Sequence, residues 1–291
     1  MASSANIAEA LEWVITSPFL LKGKVEPDLW SLPESQELIT RVRHDPAPLN
    51  AYLAKRKRKN LGSLFEYLTF YWLENLPDVR VIGHNLQLRD EKNTYGEIDL
   101  LFEYAGHIYQ WELAIKFYAC DGTPEDEANW LGPLRRDNLK RKLDRLLDFQ
   151  LHHLNEPYAQ TLLSDLGISD RPIQCFPFVK GCLYSPHSST EIILPPRLAP
   201  DGLHGKWLPL HHLDSYLSEW KISHFAILTK ADWLNSVPDD KWQATEMKLT
   251  EALNQIFNEN PTPRQVALKA GDVEIARPFI MPDSWSSLPR V

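Results

Sequence analysis

The sequence predicts an α/β fold. Two adjacent segments, 96–103 and 107–117, alternate apolar and polar residues with the period of strands. Before them lies 61–74, apolar almost all round, as a helix buried on most sides would be. After them comes a basic segment with leucines at helical spacing, and then an apolar strand at 173–184.

Taken in order, residues 7–21 read as an amphipathic helix that ends at Ser17-Pro18. The stretch to Asn50 is punctuated by Pro27, Pro33, Pro46 and Pro48, with a short helix expected near 35–42. The helix at 61–76 begins the core. Val79-Arg80-Val81-Ile82 and Leu86-Gln87-Leu88 read as a first strand interrupted by Gly83-His84-Asn85. In the next strand Ile98, Leu100 and Phe102 share the apolar face, and Glu97 and Asp99 take the other. Tyr104-Ala105-Gly106 is short and contains glycine, so a hairpin turn joins this strand to 107–117. There Tyr109, Trp111, Leu113, Ile115 and Phe117 form the apolar set, opposite Gln110, Glu112, Ala114 and Lys116.

Residues 122–133 form a long acidic-to-polar loop carrying Glu125, Asp126 and Glu127: a lid, a substrate-contacting loop or a disordered excursion. The basic helix then packs Leu139, Leu143, Leu146, Leu147, Leu151 and Leu154 inward. Pro177 inside the strand 173–184 suggests a bulge or an edge. Residues 185–208 are loop-rich, a late strand is expected at 225–229 and a helix at 242–257, and an irregular tail runs from Pro278.

The chemistry concentrates on the hairpin. Paired antiparallel, its strands bring Asp99 and Glu112 close enough to share one cation, with Lys116 two positions past Ala114 on the same face. Taken alone, such a pattern is ordinary for a solvated strand face. Glu66 adds to it as the only charge inside the apolar helix. A lone buried carboxylate costs several kcal/mol unless it is paired or bound to a cation.

Charge distribution points to the partner. The chain is acidic, with a formal net charge of -8, so indiscriminate binding to nucleic acid is excluded. Yet Lys55, Arg56, Lys57, Arg58 and Lys59 are consecutive cations. A second group, Arg135, Arg136, Lys140, Arg141, Lys142 and Arg145, outweighs Asp137 and Asp144. A charge run is most often a solvated helix face; around an acidic site it also suits a polyanion that must reach a metal.

This order of elements resembles the PD-(D/E)XK nuclease superfamily. The match runs from about Lys55 to about Tyr184: the helix with Glu66, then Gly96-Glu97-Ile98-Asp99-Leu100-Leu101, then the strand with Glu112, then the basic helix. The resemblance implies a restriction-endonuclease-like α-β-β-β-α-β core with a mixed central sheet. Residues 55–184 would form that core, 1–54 an N-terminal helical extension packed on it, and 185–291 a C-terminal extension completing the same domain.

It also implies a Mg²⁺ or Mn²⁺ cofactor held by Asp99 and Glu112, the backbone carbonyl of Leu113, and Glu66 or Glu97 through water or at a second ion. Asp99, Glu112, Lys116 and Gln110 would be the catalytic set. Lys55, Arg56, Lys57, Arg135, Arg136, Lys140, Arg141 and Arg145 would hold nucleic acid, with DNA favoured.

The usual E-x-K places lysine where this chain has Ala114. Lys116 starts about 7 Å further along the strand. It is either a migrated catalytic lysine or the mark of a degenerate site. The alternatives are therefore a metal-dependent nuclease, a nuclease-fold nucleic-acid-binding module, and an enzyme-shaped regulatory protein.

More closely, the chain resembles a bacterial domain-of-unknown-function family, number eighteen-fifty-three. The matching stretches are 11–21, 96–101, 111–118 and Trp130-Leu131-Gly132-Pro133, with Asp137, Leu139, Lys142 and Leu143 downstream.

Composition bounds the rest. A hydrophobic content of 43% with 11% aromatics fits a well-buried globular core rather than disorder. Cys120, Cys175 and Cys182 form no C-x-x-C pair, which argues against structural zinc and fits a reducing cytoplasm. No signal peptide, membrane span, phosphate-cradling Gly loop or nucleophile elbow is expected. The pairs His152-His153 and His211-His212 read as surface or capping residues.

Overall fold

A computed structural model describes residues 4–57, 60–89, 93–244 and 249–289. In chain order the helices and strands are α1 (Ser4–Thr16), α2 (Pro33–His44), α3 (Ala47–Ala54), α4 (Leu61–Glu74), β1 (Val79–Arg89), β2 (Thr94–Tyr104), β3 (His107–Cys120) and β4 (Trp130–Leu131). There follow α5 (Leu139–Asp148), α6 (Gln160–Asp165), β5 (Ile173–Pro186), β6 (Leu203–Pro209), α7 (Leu213–Ser218), β7 (His224–Leu228) and β8 (Gln243–Ala244). The last are α8 (Leu249–Glu259), β9 (Arg264–Ala270), β10 (Val273–Ala276) and β11 (Phe279–Met281). The fold is mixed α/β. No described helix is long and apolar enough to cross a membrane.

The chain forms two compact units. The first comprises residues 1–115 and 142–180, the second 116–141 and 181–291. Strands β3 and β5 each contribute to both.

In the first unit α1 stops at Thr16, at the expected end before Ser17-Pro18, because proline at 18 disfavours helix in the residue before it. Phe19 instead bridges Lys180, and Leu20 N–H donates to Val179 O at 2.9 Å. Helix α3 went unread in the sequence. Its prolines sit at the N-terminal end, where a missing N–H costs no helical bond. Helix α4 opens with a reciprocal cap: Ser63 N–H donates to Asn60 Oδ1 at 3.0 Å, and Asn60 N–H donates to Ser63 Oγ at 3.2 Å.

The first strand is not interrupted. Gly83-His84-Asn85 lies within β1, where the register to β2 shifts between Val81 and Gly83 and Asn85 takes a left-handed φ of 51°. Glycine here marks a bulge rather than a break.

The β2–β3 turn has φ of 49° at Ala105 and 81° at Gly106, the two positive values of a type I′ hairpin. Register runs from Tyr104↔His107 to Leu100↔Trp111. Trp111 then stacks on Phe178 with centroids 4.6 Å apart, and Phe102 meets Trp111 edge-on at 4.9 Å. Trp72 Nε1 donates to Ser35 Oγ at 2.8 Å, so this aromatic core leaves no indole N–H of Trp72 unpaired. Ile98 departs from strict alternation. It is buried with Leu88, Leu101 and Ile108 under Leu154, Ala159, Leu163 and Ile168.

In the second unit β5 runs parallel to β6 and β6 parallel to β11; β9 pairs antiparallel with β11, β7 and β10, and β7 with β8. Leu213, Phe225, Leu253, Val266, Leu268 and Ile280 fill the core between these strands and α7 and α8. The "loop-rich" 185–208 therefore holds the start of β6, and the "irregular tail" holds β11. The β5–β6 ladder begins only at Cys182, so Pro177 lies where β6 asks for no N–H.

The expected helix at 242–257 starts at Leu249, and residues 245–248 lie outside the described residues. The 122–133 loop is ordered. Asp126 caps a short 3-10 turn, Trp130 is fully buried, and β4 pairs with the end of β3.

Candidate functional site

Strand β3 places Gln110 and Glu112 on one face, and neither is exposed to solvent. Ladder pairing with β2 ends at Leu100↔Trp111; one position on, Asp99 stands opposite Glu112. There a side chain takes over from the ladder: Leu113 N–H donates to Asp99 Oδ2 at 2.8 Å. The Leu113 backbone thus meets Asp99 through its amide, a contact the sequence reading had not assigned.

Glu112 is held by two amides. Gln110 Nε2 donates to its Oε1 at 2.8 Å, and Gln150 Nε2 to its Oε2 at 3.2 Å. Behind them the Cys175 thiol donates to Gln110 Oε1 at 3.1 Å. Burial pushes the Glu112 carboxyl up to about 8, and the Asp99 charge adds to the shift. Burial and the nearby Glu112 push the Cys175 thiol up to about 11, so it stays a donor.

Carboxylate oxygens are the ligand type that hard divalent cations take. Burial first and the Asp99 charge second favour the protonated form of Glu112. Such a pair is relieved by a cation. Mg²⁺ in particular is commonly bound through only one or two carboxylates, with waters and phosphate completing its shell.

Glu66 is half-buried on α4, and Glu97 accepts from Gln87 Nε2. Neither completes a three-group cluster: among the described residues no three His, Cys, Asp or Glu side chains gather in a metal-holding arrangement. Lys116 is half-buried on β3 and belongs to the second unit.

The predicted nucleic-acid residues divide. Lys55 and Lys57 are exposed, and Arg56 lies over the Tyr52 ring at 3.4 Å. Arg58 and Lys59 lie outside the described residues. Arg136, Lys140, Arg141 and Arg145 are exposed. Arg135 corrects the charge reading. It is 2% exposed, adopts a left-handed φ of 56°, and its Nη1 donates to Asp121 Oδ2 at 2.6 Å. Its guanidinium also lies over the Trp285 ring at 4.7 Å. It is a buried ion pair of the second unit and not a surface cation.

A model of the domain of unknown function DUF1853 matches residues 9–281. The chain belongs to the DUF1853 family. No curated protein and no solved structure matches it.

Two contributors escaped the sequence reading. Gln150 is distant in sequence from Glu112 and carries no motif. His153, read as a surface or capping residue, is half-buried: its Nδ1 meets the Tyr158 hydroxyl at 2.6 Å, and its ring lies over Gly96 so closely that a Cβ there would fall 2.6 Å from Nε2. The glycine at 96 was the available signal, since glycine in a strand often marks a close approach.

Proposed function

We propose that this protein is a metal-dependent nuclease of the PD-(D/E)XK type, acting on nucleic acid with DNA favoured, in the cytoplasm. The observation that carries this reading is the Asp99–Glu112 pair: adjacent strands set the two carboxyls opposite one another beside the Leu113 amide, with Glu112 fully buried and its carboxyl raised by burial and by the Asp99 charge. Cys120, Cys175 and Cys182 form no disulfide, which suits a reducing compartment.

Asp99 and Glu112 would hold Mg²⁺ or Mn²⁺, which supplies an activated water and neutralises charge on the scissile phosphate. Leu113 N–H fixes the Asp99 carboxylate from one side. Gln110 orients Glu112 and is itself oriented by the Cys175 thiol. The resemblance to PD-(D/E)XK nucleases assigns Lys116 to charge developing on phosphate. Exposed Arg145, in the same unit as the carboxyl pair, suits a flanking phosphate, which sets position and not sequence preference.

Complete burial of Glu112, with both oxygens taken by amides, favours a second reading: a nuclease fold that binds nucleic acid without cleaving it. One experiment separates the two. Purified protein is incubated with single-stranded, duplex and branched DNA and with RNA, in Mg²⁺, Mn²⁺ or EDTA. The nuclease reading expects metal-dependent cleavage that Asp99→Asn abolishes and that Lys116→Ala lowers far more than it lowers binding. Binding without cleavage in every metal selects the second reading.

A further inference from the structure

Tyr95 is a large aromatic residue that a strand terminus leaves 41% exposed. Its inner face rests on Tyr158, with ring centroids 4.4 Å apart and planes within 4° of parallel. Tyr158 is held in turn. Its hydroxyl meets His153 Nδ1 at 2.6 Å, and its ring packs against the cluster of Leu88, Ile98 and Ile108. His153 is seated on Gly96, where no side chain larger than hydrogen fits beneath it. The stack is thus built from below, and its outermost layer reaches solvent.

The same short 3-10 helix, Gln150–Asn155, serves the stack and the carboxyl pair. Residues three apart lie on one face of a 3-10 helix. Gln150 reaches Glu112 from that face, and His153 reaches Gly96. Tyr95 precedes Asp99 on β2 by about 13 Å of strand. Exposed Arg145 acts electrostatically on His153 at the base of the stack. The Glu156 charge acts on His153 and Tyr158 in the opposite sense to Arg145.

A flat ring with anionic charge beside it is the chemistry of a nucleotide. We propose that Tyr95, backed by Tyr158 and His153, is a stacking platform for an unpaired base, with Arg145 on the adjoining phosphate. The inference rests on the nucleic-acid reading above and narrows it: the ligand is single-stranded, because bases inside a duplex present no free face. Base–aromatic stacking tolerates any base and contributes about 1–3 kcal/mol per base.

The test is fluorescence anisotropy in EDTA, with full-length protein and three labelled probes: a short oligothymidine, an abasic strand of equal length and a duplex. Wild type should bind oligothymidine more tightly than the abasic strand. Tyr95→Ala should weaken oligothymidine binding about tenfold or more and leave abasic and duplex binding unchanged. Tyr95→Phe, which keeps the ring, should bind like wild type, and this guards against a folding defect in the alanine variant. Wild-type affinity of Tyr95→Ala for oligothymidine overturns the platform alone. Failure of wild type to bind any probe overturns the platform and the nucleic-acid reading together.

Discussion

Gln150 Nε2 donates to Glu112 Oε2 at 3.2 Å, linking the 3-10 helix after α5 to the middle of β3. This contact closes a fully buried carboxyl against a neutral amide on each oxygen. No cationic side chain donates to it among the hydrogen bonds described. A carboxyl in that setting favours its proton.

The first prediction follows from that proton. The Glu112 carboxyl has its folded pKa raised from 4.5 to about 8. Between those values the folded state holds a proton that the unfolded state has released, so metal-free stability falls as pH rises from 4.5 to 8. The effect is on the order of a few kcal/mol. Glu112→Gln, which keeps the shape and cannot ionise, should melt higher than wild type in EDTA at pH 8. The two should converge near pH 5. Thermal melts at both pH values check this, and a constant difference between them would refute it.

Lys180 predicts the opposite slope. It is fully buried, with Nζ donating to Ile15 O at 3.0 Å and Ser17 O at 2.6 Å, and burial alone lowers it to about 7. Above that pH the folded state holds fewer protons than the unfolded state, so this residue's contribution becomes more favourable as pH rises from 7 toward 10.5. The melting difference between wild type and Lys180→Met should therefore shift toward wild type between pH 7 and pH 9. A pH-independent difference would mean that the amine stays charged.

Gly181 fixes where β5 approaches β3. Its φ is 152°, and a Cβ on it would lie 1.8 Å from the Lys116 carbonyl oxygen. Backbone cannot yield as a flexible side chain does. Gly181→Ala should destabilise by about 3 kcal/mol or more in urea unfolding. A loss below about 1 kcal/mol would show that the approach relaxes easily.

The two arginines Arg135 and Arg141 should behave oppositely. Arg135→Ala strips Asp121 of its buried partner and should cost about 3 kcal/mol of stability. Arg141 is exposed, and its Nη2 donates to the Arg136 carbonyl oxygen at 3.0 Å. Arg141→Ala should leave stability within about 0.5 kcal/mol while weakening nucleic-acid binding and flattening its salt dependence. Equal melting losses in both variants would remove the distinction.

The hairpin was legible because the two-residue turn and the apolar–polar alternation over 107–117 are local signals, although Ile98 breaks the alternation in β2 by packing with Leu101 and Ile108. The pairing of Asp99 with Glu112 follows from them directly. Strands β6, β9 and β11 were not legible. Phe279–Met281 is three residues long and buried throughout, so it carries no alternation, and only its neighbours β6 and β9 make it a strand. Arg135 was misread for a different reason. A charge run gives the number of cations on a segment, while the positive φ at 135 turns one of them inward. Gln150 carries no sequence signal, since its partner lies thirty-eight positions away.

The central claim is that Asp99 and Glu112 take a divalent cation together. Isothermal titration of Mn²⁺ into metal-free wild type, Asp99→Asn and Glu112→Gln tests it without reference to cleavage. Wild type should bind Mn²⁺ with release of protons, because Glu112 must ionise to coordinate, and the heat should vary with the ionisation enthalpy of the buffer. Either variant should lose most of that binding. Equal Mn²⁺ binding in all three proteins, or no binding in wild type, would contradict the account.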